Sequence, residues 1–223
     1  MGLLEAISSG SRWRVIQALA KRDSTPSELA KRFGTSIANI TQQLSKLESE
    51  GLVKRVGVKR QGVGRPFTRY SLDRGFVLLI GVIPGKAEKV LLEADENIRL
   101  HLNIWSIPQK EYHYYVEKFW WDIQDYLDSI EALAVFGSVA KGDARAGSDI
   151  DLLIIARKNA RRLERKFSSK IVGPEGRGKM IMAQVFSTWE FINMQKSGSR
   201  FAVEAISSMK VIYDPNGILE VLR

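Results

Sequence analysis

Cysteine is absent from all 223 residues. That excludes a disulfide scaffold, a thiolate zinc site and a cysteine nucleophile. Histidine is nearly absent too, with only His101 and His113, so a histidine-rich metal centre is not expected. No apolar run reaches the roughly 20 residues of a membrane helix, and the longest is broken by Gly81 and Pro84. The opening stretch MGLLEAISSGSRWR has no basic start followed by an apolar core, so no secretory signal is expected. A soluble cytoplasmic protein with no membrane partner is the expectation. At 44% hydrophobic and 26% charged residues the composition is ordinary for a globular chain, which excludes disordered and collagen-like classes. The length allows one large domain or two small ones.

Negative charge is scarce in the first third. Lys and Arg total 34 against 25 Asp and Glu, for a net +9. Residues 1–73 hold 13 of those basic side chains and only 6 acidic ones. A local cationic excess suits a polyanion, because cations near phosphates release condensed counterions. A solubilising surface has the same sign, so the local pattern must decide.

In SRWRVIQALAKR (residues 11–22), Trp13, Ile16, Leu19 and Ala20 recur at helical spacing. Thr25, Pro26 and Glu28 then form a capping-box start for a second helix that stops at Gly34. Ser36 is positioned to cap a third helix ending at Gly51. Two short helices joined by a Gly-containing turn have the helix-turn-helix spacing. In the third helix, Ile37, Ile40, Leu44 and Leu47 share one apolar arc. Its other side carries Ala38, Asn39, Gln42, Ser45, Lys46 and Ser49. Amide side chains bond adenine edges in the major groove, and small residues permit close approach. A merely packed helix more often has a back of Glu and Lys. Ser36, Ala38, Asn39, Gln42 and Lys46 are therefore candidate DNA contacts.

After Gly51 the pattern turns to period two. LVKRVGVKRQGVGRPFTRYSL reads as two strands around a turn at Gly62 and Gly64. It carries Lys54, Arg55, Lys59, Arg60, Arg65 and Arg69 and no acidic residue. Such a hairpin after a recognition helix is a wing, with Lys59, Arg60 and Arg65 at phosphates or in the minor groove. Through TPSELAKRFGTSIANITQQLSKLESEGLVKR and GRPFTRYSL, residues 1–73 resemble winged-helix transcription regulators of the ArsR/MarR-like class. The cysteine metal-sensing motif of ArsR repressors is missing, so thiolate sensing does not carry over.

ALAVF (132–136) reads as a buried strand leading into Gly137 and Ser138, and SDIDL (148–152) continues as the apolar strand LLIIA. Together they spell G-S-x3-G-x5-S-D-x-D-L. A Gly-Ser turn at a helix start offers amides and a hydroxyl to a phosphate. Asp149 and Asp151, two apart on a strand, are expected on one side, where they repel unless a divalent cation joins them. Cations held that way stabilise in-line phosphoryl displacement. The motif resembles that of the DNA polymerase β-like nucleotidyltransferase superfamily, in particular its minimal prokaryotic members. The resemblance implies a nucleoside triphosphate at Gly137, Ser138 and Ser148, and Mg²⁺ at Asp149 and Asp151 as catalytic carboxylates. It also implies a third carboxylate on a later strand. The matching strand, KMIMAQVFS (179–187), offers Gln184 there, a poor ligand and a poor base. Glu190 is the next acid along.

Residues 74–108 say least. FVLLIGVIP reads as a strand. NIRLHLNIW alternates Ile98, Leu100, Leu102 and Ile104 with polar residues, as a half-buried strand does, and KVLLEADENIRLHL reads as a hairpin. Between 105 and 126 lie eight of the 20 aromatic residues, expected in a core or subunit interface, with base stacking as the alternative. The basic run RKNARRLERKFSSK (157–170) reads as a solvated helix face or as a phosphate holder.

The expected architecture is α+β: a winged helix-turn-helix domain (1–73), a connector of β structure (74–108) and a nucleotidyltransferase-like domain (109–223). The expected function is transcriptional regulation by a homodimer bound to double-stranded DNA, with a C-terminal domain that binds nucleotide and is short of one carboxylate. The alternative is an active Mg²⁺-dependent nucleotidyltransferase, antitoxin-like, acting on a protein or nucleic acid.

Overall fold

The computed structural model describes residues 3–57 and 68–222. They divide into two units, Met1–Asp95 and Glu96–Arg223.

The first unit opens with a short helix, α1 (Leu3–Ser8), followed by α2 (Gly10–Leu19), α3 (Pro26–Phe33) and α4 (Ile37–Ser49). The start of α3 is the capping box the sequence predicts. The Thr25 hydroxyl accepts from the Glu28 amide at 3.2 Å and the Glu28 carboxylate accepts from the Thr25 amide at 2.7 Å. That reciprocal bonding pulls the Glu28 carboxyl below its ordinary pKa. Gly34 closes the helix at φ 64°, a left-handed backbone that favours glycine. Ser36 caps α4 through the Asn39 amide at 3.2 Å.

Val15, Leu19, Leu29, Ile40, Leu44 and Leu47 form the centre of this unit's core. Three residues of the expected apolar arcs, Trp13, Ala20 and Ile37, lie outside it. Trp13 is exposed because α2 turns Val15, Ile16, Ala18 and Leu19 inward, and Ile37 is exposed in the first turn of α4. Arg12 takes the buried place beside α1. Its Nε donates to the Ala6 carbonyl and one terminal nitrogen to the Glu5 carbonyl, both at 2.6 Å. The guanidinium therefore satisfies carbonyls at the C-terminal end of α1, where a cation is also favoured by the helix dipole.

Strands β1 (Val53–Val56) and β2 (Arg69–Leu72) pair antiparallel, Val53 opposite Leu72, as expected for a wing. A bridge from Ser24 to Tyr70 ties β2 to the segment before α3. Next come β3 (Phe76–Ile83) and β4 (Lys86–Glu93), a separate two-stranded ribbon. The strand expected in FVLLIGVIP is present, but its partner is the run after Pro84 and Gly85. Gly85 has φ 81°, as the third position of a type II turn requires.

The second unit starts with α5 (Glu96–Trp105), which corrects the expected strand over NIRLHLNIW and the hairpin through it. Leu100 and Ile104, four apart, face the core while Leu102 is exposed. Asn103 on this helix donates to the Ile212 carbonyl at 3.0 Å. His101 bonds Glu117 at 3.2 Å, a link between helices. Then follow α6 (His113–Asp122), β5 (Ile130–Phe136), α7 (Gly137–Lys141), β6 (Ile150–Ala156), α8 (Ala160–Phe167), β7 (Ser169–Val172), β8 (Lys179–Ser187), α9 (Thr188–Lys196), α10 (Arg200–Ser208), β9 (Lys210–Tyr213) and α11 (Ile218–Val221).

The five strands form one sheet in the order β7-β8-β6-β5-β9. Only β6 and β8 run parallel, joined across α8 and β7. Strand alternation gives each face its own core. Ile150, Leu152 and Ile154 pack with α5, α6 and α8, while Leu153 and Ile155 pack with α9, α10 and α11. The aromatic stretch is divided: Tyr112, Phe119 and Trp120 are core, whereas Trp105, Tyr114 and Trp121 are exposed. No helix of the described residues is long and apolar enough to cross a membrane.

Arg12→Leu should lower the stability of the first unit by about 2 kcal/mol, since two carbonyls lose a charged donor. Scanning calorimetry would check this, with the transition of the second unit unchanged.

Candidate functional site: a carboxylate pair beside a glycine turn

Strand β5 ends at Phe136, which pairs with Asp151 on β6. The chain then bends sharply, with Gly137 at φ 69°. A Cβ built on Gly137 would lie 2.6 Å from Asp151 Oδ2. Only glycine lets the turn and the carboxylate approach this closely. The Gly137 amide donates to the Ser208 hydroxyl at 3.3 Å, and that hydroxyl donates to the Glu204 carbonyl at 2.9 Å. Thus α10 lies against the turn. The Ser138 hydroxyl makes no hydrogen bond among the described residues and is half-buried.

The loop between the two halves of the motif is pinned from outside. Gln109 acts as a surrogate strand: its amide nitrogen donates to the Ala144 carbonyl at 2.9 Å and its oxygen accepts from the Ala144 amide at 3.0 Å. The Tyr112 hydroxyl donates to the Arg145 carbonyl at 2.8 Å. Ser148 closes the loop by accepting from the Arg145 amide at 2.9 Å. Its hydroxyl is thus engaged in the turn that presents Asp149.

Asp149 precedes β6, which begins at Ile150, so only Asp151 is within the strand. Asp149 is exposed and Asp151 half-buried. Burial pushes the Asp151 carboxyl above its ordinary range, and the charges of Asp149 and Glu204 push it the same way. Neither aspartate has an ion-pair partner among the described residues; Lys141, nearby on α7, pairs with Glu204 at 3.5 Å. Two uncompensated carboxylates backed by a third negative charge are a suitable donor set for a hard divalent cation. No group of three or more acidic or histidine side chains forms a metal cage among the described residues. Two protein carboxylates plus phosphate and water oxygens remain a set that Mg²⁺ accepts.

Residues 122–217 match the family model described as polymerase beta nucleotidyltransferase, and residues 7–56 match that of a helix-turn-helix domain. The chain joins a helix-turn-helix domain to a polymerase β-like nucleotidyltransferase domain. Among solved structures, reduced HlyU from Vibrio cholerae is 25% identical, over 32% of this chain and 68% of that one, with a TM-score of 0.27. A toxin–antitoxin complex with AMP-PNP is 14% identical, over 48% of this chain and 78% of that one, with a TM-score of 0.29. No curated protein matches the chain.

In the nucleotidyltransferase domain the register of β8 places two side chains on the Asp151 face near it. Met182 is the residue opposite Asp151, while Gln184 lies two further along, opposite Leu153. Neither is acidic. Glu190 is remote: the Ser187 end of β8 pairs with Ala156, about 17 Å along the sheet from Asp151. Its carboxylate caps α9 by accepting from the Ser187 amide and hydroxyl, at 2.8 and 2.7 Å. These bonds hold its pKa down. The acid whose charge reaches Asp151 is Glu204 on α10, which the sequence reading missed. It sits in RFAVEAISS, an amphipathic helix with no motif to single it out. The basic helix α8 packs Leu163 and Phe167 into the sheet face opposite that of Asp151. Lys166 on this helix bonds the Tyr126 hydroxyl, and Lys170, on β7, pairs with Asp122 at 2.6 Å.

In the helix-turn-helix domain, Ser36, Ala38, Asn39 and Gln42 are exposed and Lys46 is half-buried. Asn39 is internally engaged, donating to Thr35 at 2.9 Å and accepting from Gln43 at 3.1 Å. Gln42 makes no hydrogen bond among the described residues. The base of the wing offers less free charge than the sequence implied. Lys54 pairs with Asp73 at 3.3 Å, Arg55 with Glu48 at 2.9 Å, and Arg69 donates to the Asp23 carbonyl at 2.5 Å. Lys59, Arg60 and Arg65 lie outside the described residues.

Asp151→Asn should raise the melting temperature slightly near pH 7, because the buried carboxylate charge is removed while solvent already screens part of it. The raised pKa gives the sign. The native carboxylate is penalised above its folded pKa, so the gain is present there and fades on acidification toward the ordinary value of 3.8. Melting curves at several pH values would check it.

Proposed function

We propose that the protein is a regulator that binds duplex DNA through α4 and the wing, and binds a nucleoside triphosphate with Mg²⁺ at the Gly137–Asp151 site with little or no transfer. The observation that carries the second half is Met182. The strand position beside Asp151 holds a thioether, which neither binds a hard cation nor takes a proton from an attacking hydroxyl. Asp149 and Asp151 would hold Mg²⁺, which when bound neutralises their repulsion and grips phosphate oxygens. Ser138 contributes a free hydroxyl, and Gly137 an amide that exchanges the Ser208 oxygen for a phosphate oxygen. Gln109 and Tyr112 keep the loop that carries Ser148 and Asp149 in position.

A second reading, the active nucleotidyltransferase with a protein or nucleic-acid acceptor, is favoured by Glu204. A carboxylate on α10 near Asp151 supplies from a helix the charge that β8 lacks.

For the nucleotide half, titration of a fluorescent triphosphate should give Mg²⁺-dependent binding that is lost in Asp149→Asn/Asp151→Asn. Incubation with labelled triphosphate and cell extract should show little transfer. Robust transfer that dies in Asp151→Asn and falls at least tenfold in Glu204→Gln would instead establish the transferase.

For the DNA half, Gln42→Ala should reduce discrimination between operator and random duplex about tenfold or more, and leave random binding unchanged. Affinity should fall steeply with salt. Equal affinity for operator and random duplex in the unsubstituted protein would remove this reading.

A further inference from the structure

The ribbon of β3 and β4 is the most exposed apolar feature among the described residues. Val82 is 76% exposed, Ile83 62%, Ile80 59% and Leu91 49%. Strand alternation divides these between both faces: Leu79, Ile83 and Val90 on one, Ile80, Val82 and Leu91 on the other. Among the described residues the ribbon belongs to no larger sheet. An isolated two-stranded hairpin is marginal in water, and one with greasy faces is a site for association.

Its two outer edges differ. β4 reads Lys-Ala-Glu-Lys-Val-Leu-Leu-Glu, with charges at Lys86, Glu88, Lys89 and Glu93, the kind of edge that resists pairing. β3 reads Phe-Val-Leu-Leu-Ile-Gly-Val-Ile, without one polar side chain. Its outer row of amides and carbonyls pairs with no strand among the described residues. We infer that β3 is a homodimerisation edge: two copies of this chain pair β3 with β3 antiparallel about a two-fold axis, making a four-stranded sheet with the two β4 strands outside.

Symmetry makes the second copy the fitting occupant. A two-fold axis perpendicular to the sheet opposes residues whose numbers share parity, because side chains on one face must meet on that face. At every such register β3 meets only apolar side chains or Gly81 of its copy, and no like charges face each other. Cross-strand pairs of aliphatic and β-branched residues stabilise such a seam. The uncharged edge offers nothing to select an acidic or basic partner. The charged β4 strands then terminate the sheet at four strands and block further growth. This inference is independent of what either domain binds.

Sedimentation equilibrium of the full chain at micromolar concentration should give the mass of two chains. Ile80→Lys/Val82→Lys should give the mass of one, with the far-ultraviolet dichroism retained. The absence of native cysteine permits a second test that leaves the edge apolar. Single cysteines at Leu79→Cys and Ile80→Cys, mid-strand, should yield a disulfide-linked dimer on mild oxidation in at least one variant. Trp189→Cys, exposed on the other unit, should not. A single-chain mass for the unsubstituted protein, a dimer that survives both lysines, or cross-linking no better at β3 than at position 189 would overturn the inference. So would a monomer that instead binds phosphatidylcholine vesicles through this ribbon.

Discussion

The contact between the Gly137 backbone and the Asp151 carboxylate is the constraint around which the nucleotidyltransferase domain is arranged. Pairing of Phe136 with Asp151 brings the end of β5 level with the start of β6. The turn leaving β5 then has no room for a side chain, with 2.6 Å between a notional Cβ and the carboxylate oxygen. This juxtaposition puts the glycine turn and the negative pair side by side. It also concentrates charge: neither aspartate has an ion-pair partner among the described residues. Burial and the neighbouring carboxylates accordingly raise the Asp151 pKa.

Support for that contact comes from segments far away in sequence. Gln109 and Tyr112 hold the loop that precedes Asp149, and Ser208 holds the Gly137 amide. These residues touch backbone rather than any charged group of the site. Their role is to restrict the loop so that the two aspartates and the glycine turn keep their spacing. Glu204 is different, since its charge acts on Asp151 directly. Through the Lys141–Glu204 pair, α7 and α10 share the electrostatics of the site.

The helix-turn-helix domain is organised by shorter-range chemistry. Its turn is defined by the Thr25–Glu28 box, the left-handed Gly34 and the Ser36 cap, all within a dozen residues. Arg12 on α2 adds a long-range polar tie, bonding the end of α1 and also Gln43 on α4 at 3.4 Å. On the exposed face of α4, a row from Thr35 through Asn39 to Gln43 is already hydrogen-bonded along the helix. Gln42, also exposed, makes no hydrogen bond among the described residues.

Whatever depends on neighbours in the chain was legible without coordinates. The caps of α3 and α4, the paired wing strands, the strands flanking the Gly-Ser turn and the span of β8 all follow from local spacing and turn chemistry. Ambiguity arose where one pattern satisfied two periods. Leu100 and Ile104 are four apart as well as alternate, and packing against β9 decided for a helix. Trp13 and Ile37 fitted an apolar arc, yet the arc that α2 and α4 bury is offset from it. Register between β6 and β8 was also beyond reach, because parallel strands separated by a helix and a further strand can slide without altering either sequence. It is that register which seats Met182, and not Gln184, beside Asp151. The sequence by itself determined the two domains, the glycine turn and the acidic pair, since each is written within a few residues. Tertiary structure alone decided which distant acid acts on Asp151, which wing cations are neutralised and which apolar strand forms the edge of a two-stranded ribbon. Those depend on distances between segments that the chain order does not encode.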